Sequence, residues 1–347
     1  MDTIIIFLSV LWSFLITVFA IPSIINVAHS KKLLDEPNQR TMHQSLTPRL
    51  GGLAIFAGFM SALTIFGELS YSIQHLLAGC IIIYFIGLKD DIVSVSAFKK
   101  FFVQILATGI IMFMGDIRIT SFQGLLGIYD LEQGFSYAFT FILVIGITNA
   151  INLIDGLDGL AGTIILIISI TFGVYFFALD SPHYSIVAFC LAGSILGFLR
   201  YNFTKAIIFM GDTGSLVSGF IISVLAIKFI ETNSVSIEPI IPSAPAICVG
   251  ILIIPIVDTL RVSIIRILNG KSPFSPDKNH LHHRLIALGF SQMQSVLILA
   301  VLNILVIAGV VYFAFIGTLN LLVALLIFSI ILSIVLEIKR KPLPQPR

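Results

Sequence analysis

Acidic residues stand at the ends of long apolar runs in this sequence. Asp90 and Asp91 form an adjacent pair, Asp155 and Asp158 follow a shared run, and Asp212 comes directly after a glycine. A charged side chain near the hydrocarbon core of a bilayer costs roughly 2.5–3.5 kcal/mol on insertion scales. Adjacent carboxylates also repel unless a cation or a proton lies between them, and magnesium bound to phosphates often provides that setting. These residues indicate a polar site for phosphate chemistry, although an exposed loop could also hold the pair.

Four polar residues recur at three-residue spacing where one apolar run ends: Asn149, Asn152, Asp155 and Asp158. On an α-helix each step of three residues slips by about 60°, so the four side chains would spread over half the circumference. A 3₁₀ or unwound segment would align them, and Gly156 and Gly159 favour unwinding. Ordinary helix caps would explain one of these aspartates but not four polar groups together.

Cationic residues lie close to the carboxylates in sequence. Lys99 and Lys100 follow the aspartate pair where the next helix should begin, and Arg40, His43 and Arg49 precede the second apolar run. These side chains could meet phosphate groups near the lipid headgroups. The alternative is an ordinary basic loop beside the membrane.

The segment Gly211-Asp212-Thr213-Gly214-Ser215 precedes another apolar run. No lysine follows it, so it is not a P-loop. One interpretation makes Asp212 or Thr213 an ordinary N-cap. The other has a tight glycine turn that holds Asp212 against a metal, with nearby backbone N–H groups facing an anion.

Three of the seven histidines lie within four residues, at His280, His282 and His283, and Arg284 follows them. The absence of a cysteine partner or an HExxH pattern argues against zinc. Neutral imidazoles beside an arginine fit better as hydrogen-bond donors to phosphate or sugar oxygens. A solvated basic loop is the alternative, and Asp258 could support that loop or take part in catalysis.

Composition decides the class of protein. Hydrophobic residues make up 57% of the chain and charged residues 11%, with a mean hydropathy of +1.06, whereas soluble domains contain about 25% charged residues. About eleven apolar runs could cross a bilayer core of roughly 30 Å as helices. They are residues 4–27, 50–66, 73–88, 102–114, 135–153, 160–179, 185–199, 216–230, 244–267, 296–315 and 319–336. We predict an all-α polytopic integral membrane protein with a single transmembrane catalytic domain over residues 1–338.

Lysine and arginine predict the orientation, because they are retained on the cytoplasmic side. With the N-terminus outside, all but two of the 20 Lys and Arg residues fall inside, and only Arg118 and Lys228 fall outside. Asp35 and Glu36 then lie inside with the other acids described above. The cytoplasmic segments should be loops near 29–49, 89–100, 152–159, 200–215 and 268–292 and a short basic C-terminal tail at 339–347.

Taken in order, these motifs resemble those of the polyprenyl-phosphate N-acetylhexosamine-1-phosphate transferases, glycosyltransferase family 4. They are Thr47-Pro48-Arg49-Leu50-Gly51-Gly52, Asp90-Asp91, Asn152-Leu-Ile-Asp155-Gly-Leu-Asp158-Gly, Gly211-Asp212-Thr213-Gly214-Ser215, and Ser272-Pro-Phe-Ser-Pro-Asp277 through His283. Leu281 interrupts the histidine run. This pattern is similar to that of the enzymes that start O-antigen, enterobacterial common antigen or teichoic-acid linkage synthesis. The phospho-MurNAc-pentapeptide transferases of peptidoglycan synthesis, the alternative branch, carry three adjacent histidines.

The resemblance implies transfer of an N-acetylhexosamine 1-phosphate, with GlcNAc-1-phosphate as the main expectation, from a UDP-sugar to undecaprenyl phosphate with release of UMP. It implies a multi-pass protein of the bacterial cytoplasmic membrane with its site on the cytoplasmic face. Magnesium, or manganese in its place, would be held by Asn152 and Asp212. The catalytic residues it implies are Asp90, Asp91, Asp155, Asp158 and Asp212. The substrate contacts it implies are Arg49, Lys100, Asn149, His280, His282, His283 and Arg284.

Within this assignment, Asp90 and Asp91 would lie beside the lipid phosphate, and Asp155 and Asp158 would shape the nucleotide pocket. Direct attack by the lipid phosphate and a covalent aspartyl-phosphate route both stay open. A transporter is the alternative of a different class, but these acids lie at the inner ends of apolar runs and no repeated halves are visible. A homodimer also stays open, and no nucleic-acid partner is expected.

Overall fold

The computed structural model describes residues 2–34, 47–234, 241–272 and 279–338. The expectations for Asp35, Glu36, Arg40 and His43, for the segment 273–278 and for the basic tail at 339–347 lie outside the described residues. The chain forms two compact units, Met1–Ile240 and Ile241–Arg347. One catalytic domain over residues 1–338 stays a prediction, because two compact units can still belong to one catalytic domain.

The first unit is helical apart from one hairpin. Its helices are α1 (Asp2–Lys31), α2 (Gly51–Phe66), α3 (Tyr71–Ile92), α4 (Ala97–Gly109), α5 (Gln133–Leu153), α6 (Leu160–Ala178), α7 (Pro182–Asn202) and α8 (Gly211–Ser234). A π-helical turn, Ile110–Met114, continues α4. Strands β1 (Ser121–Leu125) and β2 (Ile128–Asp130) pair antiparallel. The hairpin was not predicted from the sequence.

In the second unit, all the regular structure among the described residues is helical. Its helices are α9 (Ala244–Ile251), α10 (Ile253–Leu268), α11 (Leu281–Ala287), α12 (Gln292–Tyr312), a 3₁₀ turn at Ala314–Ile316, and α13 (Thr318–Ile338). A capping box at Ser291 and Gln294 begins α12. Helix α9 packs against α12 and α13, and α11 packs against the same two helices.

The number of membrane spans differs slightly from the prediction. In the part of the chain that the structure describes, nine helices are long and apolar enough to cross a membrane, or up to ten if α9 and α10 form one span. These two helices meet at a 75° bend, where the sequence predicted one continuous run, and α2 is shorter at 16 residues. The prediction of an all-α polytopic membrane protein is confirmed.

Helix α8 lies at the centre of the first unit, where it packs against α2, α3, α5 and α6. Glycines bring two of these helices close to its first turn. A Cβ atom at Gly52 of α2 would lie 2.2 Å from the backbone nitrogen of Gly214, and one at Gly87 of α3 would lie 2.6 Å from the Cα of Thr213. Only glycine fits at these contacts, which bring α2 and α3 to the start of α8.

Substitution Gly52→Ala should therefore lower the thermal stability of the purified protein in detergent. The new methyl group has no space, and overpacking typically costs about 1–3 kcal/mol. Gly146→Ala on α5 is the matched control, because nothing lies within 4 Å of a Cβ atom there. It should leave the melting temperature unchanged or raise it, since alanine favours a helix. Equal effects of the two substitutions would contradict the close approach of α2 to α8.

Candidate active site

A lysine joins two carboxylates at the start of α8. The Nζ atom of Lys100, in the first turn of α4, lies 2.8 Å from Oδ2 of Asp212 and 3.3 Å from Oδ2 of Asp90. All three side chains are half-buried. Asp90 also accepts a hydrogen bond of 2.7 Å from the backbone N–H of Val95. The structure thus brings Asp212 to Asp90 and Lys100, which lie more than a hundred positions before it in the sequence.

Asp91 points away from Asp90 and binds the start of α8. Its Oδ1 accepts the backbone N–H of Asp212 at 2.7 Å, and its Oδ2 accepts the backbone N–H of Thr213 at 3.0 Å together with the Thr213 hydroxyl. The first amides of a helix have no partner within the helix, and its N-terminus favours a negative charge. Asp91 therefore acts as an N-cap for α8, supplied by α3.

This geometry separates Asp90 and Asp91, which are neighbours in the sequence, while their placement beside the lipid phosphate stays a prediction. Consecutive residues of a helix point about 100° apart, so the two carboxylates serve different partners. The predicted anion at the backbone N–H groups of the glycine turn is present, but it is the side chain of Asp91. Gly211 has a φ of +71°, and a Cβ atom there would lie 2.6 Å from both Asp91 carboxylate oxygens.

Asn152 faces the same carboxylate as Lys100. Its side-chain nitrogen lies 3.3 Å from Oδ1 of Asp212 and donates to the hydroxyl of Ser215 at 2.8 Å. Ser215 in turn donates to the carbonyl of Gly211 at 2.9 Å. Asn152 and Asp212, the two predicted metal ligands, are therefore neighbours. Ser215 was not singled out as a site residue, although it belongs to the motif that contains Asp212.

Asn149 makes its contacts inside the helix bundle. It donates to the side-chain oxygen of Gln104 at 2.9 Å and to the backbone oxygen of Ile145 at 2.8 Å, and Gln104 returns a weaker bond of 3.4 Å. Gln104 lies one helical turn after Lys100 on α4. Asn149 and Gln104 thus form an amide pair that holds α4 against α5, and the substrate contact at Asn149 stays a prediction. Gln104 was missed, although its spacing from Lys100 placed it on the same helix face.

The chain unwinds after α5, as predicted, but later than expected. Asn149 and Asn152 still lie on α5, and only residues 154–159 leave the helix. Gly159 there has a φ of +77° and begins α6. The four polar residues are therefore not aligned on one 3₁₀ segment.

Two side chains hold the loop between α7 and α8 against this turn. Asp158 accepts the backbone N–H of Ala206 at 3.1 Å. Asn202 accepts the N–H of Gly159 at 2.8 Å and donates to the carbonyl of Ile208 at 2.9 Å. Asp158 thus supports the loop that leads to Asp212, and its predicted catalytic role stays a prediction.

Asp155 is the residue of this turn whose pKa is shifted. Burial, followed by the negative charges of Asp212 and Asp91, raises the pKa of Asp155 to about 7, against the lowering effect of Arg49. Arg49 is exposed, and its backbone oxygen borders Gly211. Arg49, which the sequence predicts as a substrate contact, therefore lies close enough to affect the carboxyl group of Asp155. With a pKa of about 7, Asp155 readily holds a proton near neutral pH.

A second cluster lies in the second unit, around the start of α11. Asp258 of α10 accepts the backbone N–H of Leu281 at 2.6 Å and pairs with Nδ1 of His280 at 2.8 Å. His280, His282 and Arg284 are all less than a tenth exposed. Asp258, whose role the sequence left open, caps α11 and orients His280.

Three of the four residues that the sequence predicts as substrate contacts in this segment are buried, and their contact with substrate stays a prediction. His280 and Arg284 have partners inside the unit, and Nε2 of His282 is buried without a hydrogen-bond partner among the described residues. Burial, with the nearby charge of His283, lowers the pKa of His282 to about 3, so its imidazole is neutral. His283 is the one member of the four with intermediate exposure.

The cluster of the first unit contains oxygen atoms that could bind a metal ion. Among the described residues, no three His, Cys, Asp or Glu side chains gather as a metal-binding group. Magnesium, however, commonly takes one or two carboxylates and completes its shell with water and substrate phosphates. Asp212 and the side-chain oxygen of Asn152 offer such a partial set, because the amide can be turned to present its oxygen. The donor set fits magnesium and does not fit zinc.

Comparison with known proteins gives the family. Residues 73–230 match the sequence profile of glycosyl transferase family 4. The chain is 38% identical over 290 residues to a "Probable undecaprenyl-phosphate N-acetylglucosaminyl 1-phosphate transferase" of Bacillus subtilis (strain 168). The matched region covers 82% of this chain and 78% of the relative. The chain belongs to glycosyl transferase family 4. The resemblance seen in its motifs is confirmed.

Two further relatives of this family carry related names. A decaprenyl-phosphate N-acetylglucosaminephosphotransferase of Mycobacterium leprae (strain TN) is 34% identical over 309 residues, which are 82% of this chain and 78% of the relative. An undecaprenyl-phosphate alpha-N-acetylglucosaminyl 1-phosphate transferase of Escherichia coli O157:H7 is 30% identical over 277 residues, or 78% and 73% of the two chains. The family segment 73–230 contains Asp90, Lys100, Asn152 and Asp212.

The cap on α8 predicts that Asp91→Asn lowers the thermal stability of the substrate-free protein. The substitution removes the charge and replaces one acceptor by a donor that faces a backbone N–H. Loss of a helix cap typically costs about 0.5–2 kcal/mol. Asp130→Asn, the same change at an exposed carboxylate, should have no such effect. If Asp91 served only a substrate phosphate, the melting temperature of the Asp91→Asn protein would equal that of the unchanged protein.

The raised pKa of Asp155 predicts a pH-dependent loss of stability. An aspartate in the unfolded chain titrates near pH 3.9, so between about pH 4 and 7 the folded protein binds more protons and its stability falls as pH rises. Melting temperatures measured without divalent cations should therefore fall less steeply across this range for Asp155→Asn than for the unchanged protein. Asp130→Asn is the control. Parallel profiles for all three proteins would contradict the raised pKa.

Proposed function

We propose that the protein transfers N-acetylglucosamine 1-phosphate from UDP-GlcNAc to undecaprenyl phosphate and releases UMP. The family and the names of its relatives support this reaction. The observation that carries it is the contact of Lys100 with both Asp90 and Asp212, beside Asn152. A cation between carboxylates, next to a set of oxygen donors, suits the transfer of a phosphoryl group between two anionic substrates.

Asp212 and Asn152 would hold magnesium. When bound, magnesium would neutralise the charge of the donor diphosphate. Lys100 already balances Asp90 and Asp212, and the flexible stem of a lysine lets its ammonium turn from a carboxylate to a phosphate oxygen. Asp91 keeps Asp212 in place through the backbone of α8. Each of these roles belongs to a side chain whose position is described above.

We favour direct attack. An oxygen of the lipid phosphate forms a bond to the β-phosphorus of UDP-GlcNAc, and the bond from that phosphorus to the bridging oxygen breaks, so UMP leaves with the electron pair. Asp90 accepts any proton that remains on the lipid phosphate. Since the second pKa of a phosphate monoester is about 6, most of this phosphate is ionised at neutral pH. Positioning of the two substrates then contributes more than proton transfer.

The resemblance assigns recognition of the donor to the segment from His280 to Arg284. His283 keeps enough exposure to contact a ligand, while His280 and Arg284 hold the segment. The distribution of lysine and arginine supports a reaction at the cytoplasmic face, with the N-terminus outside and the C-terminus inside. The product would be the first lipid-linked intermediate of a cell-envelope polysaccharide, such as O-antigen, common antigen or a teichoic-acid linkage unit.

The test is release of UMP by purified protein with UDP-GlcNAc, undecaprenyl phosphate and magnesium. We expect UMP and a lipid-linked sugar diphosphate in equal amounts, and loss of both after chelation of the metal with EDTA. Asp212→Asn and Asp90→Asn should each lower the rate by more than about a hundredfold, because general base and electrostatic contributions are typically of that size.

Asp130→Asn is the matched control for these substitutions and should keep the full rate. All variants should accumulate in membranes as folded protein. Near-normal rates for both Asp90→Asn and Asp212→Asn would overturn the assignment of the site. Absence of UMP release by the unchanged protein, across a panel of UDP-sugars, would overturn the proposed reaction.

A further inference from the structure

Glu337 lies near the end of α13, outside every motif described above, and it joins two buried arginines. Its Oε1 accepts a bond from Nη2 of Arg284 at 3.1 Å and a second bond from Nη2 of Arg261. The arginine side chains are 4% and 5% exposed, whereas that of Glu337 is 35% exposed. A single carboxylate therefore links guanidinium groups that belong to α10 and α11.

The same two arginines hold the residue that precedes the histidine segment. Arg261 donates to the backbone oxygen of Asn279, and Arg284 donates to its side-chain oxygen. Asp258 then holds the next two residues through His280 and the N–H of Leu281. The start of α11 is thus bound by side chains of α10 and of α11 itself, and Glu337 fixes the arginines that complete this arrangement.

Charge explains why this carboxylate matters. Two guanidinium groups that lie close together repel, and burial strengthens that repulsion. The Nε atoms of Arg261 and Arg284 are buried and have no hydrogen-bond partner among the described residues. Without Glu337, both arginines would lose an ionic partner and would gain by turning toward water. Their bonds to Asn279 would be lost in that movement.

We propose that Glu337 is a positioning residue for the segment from His280 to Arg284. It acts through Arg261 and Arg284 and does not touch substrate itself. The role rests on the proposed function, in which this segment recognises UDP-GlcNAc. Loss of Glu337 would weaken binding of the donor more than it would weaken binding of the lipid phosphate.

The first experiment separates the two substrates kinetically. Glu337→Gln should raise the KM for UDP-GlcNAc by about tenfold while kcat and the KM for undecaprenyl phosphate change by less than about twofold, which is the pattern of a lost binding contribution. Glu337→Asp, which keeps the charge, should recover part of the loss. Glu68→Gln is the matched control, because Glu68 is 83% exposed and lies in the first unit; it should match the unchanged protein.

A second measurement needs no substrate. Diethyl pyrocarbonate modifies accessible neutral histidines, and mass spectrometry can locate the product. His282 is 2% exposed and should react slowly in the unchanged protein, with the more exposed His283 as an internal reference. Glu337→Gln should increase the labelling of His282 relative to His283 severalfold. This result would stand even if the protein proved to act on a different donor, so the two proposals can fail separately.

Arg261→Lys provides a second variant if Glu337→Gln does not fold. It keeps the charge but loses the planar fork that reaches both Asn279 and Glu337, so it should shift donor KM and His282 labelling in the same direction. Unchanged donor KM and unchanged labelling in the folded variants would overturn the proposal. Equal losses for both substrates, accompanied by a lower melting temperature, would also overturn it, because they indicate a general structural role.

Discussion

The bond between the Asp91 carboxylate and the first amides of α8 determines the arrangement of the acidic cluster. Helix α8 is the central helix of its unit, and the amides at its start have no partner within the helix. In an apolar environment such groups must be satisfied by protein. Because Asp91 satisfies them from α3, the side chain of Asp212 is directed away from the backbone of α8 and toward Lys100 and Asn152. The close glycine contacts at Gly52 and Gly87 permit this junction.

With Asp91 committed to the helix, the remaining charges explain the character of the site. Asp90 and Asp212 share the cation Lys100, and Asp155 lies close enough to be affected by the charge of Asp212. Burial raises the pKa of Asp155, and the negative charges of Asp212 and Asp91 raise it further, which reflects an excess of negative charge in the cluster. A divalent cation would lower that excess, which makes the cluster a better host for two anionic substrates once such a cation is present.

Sequence reasoning identified the apolar helices and the motif residues but could not assign their directions. Neighbouring residues diverge by about 100° on a helix, so Asp90 and Asp91 were paired in sequence and separated in space. Asn149 and Asn152 were grouped by spacing, yet α5 continues to Leu153 and turns Asn149 toward Gln104. Such outcomes depend on where a helix ends and on which helix packs beside it, and neither is encoded within the motif itself.

The direction of a carboxylate also explains Asp258, whose role the sequence left open. Asp258 accepts the N–H of Leu281 at the start of α11, as Asp91 accepts the first amides of α8. A carboxylate in a membrane protein therefore has a structural use that competes with metal or substrate binding, because helix starts require acceptors where water is scarce. Acids that cap a helix support the site, and the acids that remain, above all Asp90 and Asp212, are those available for chemistry.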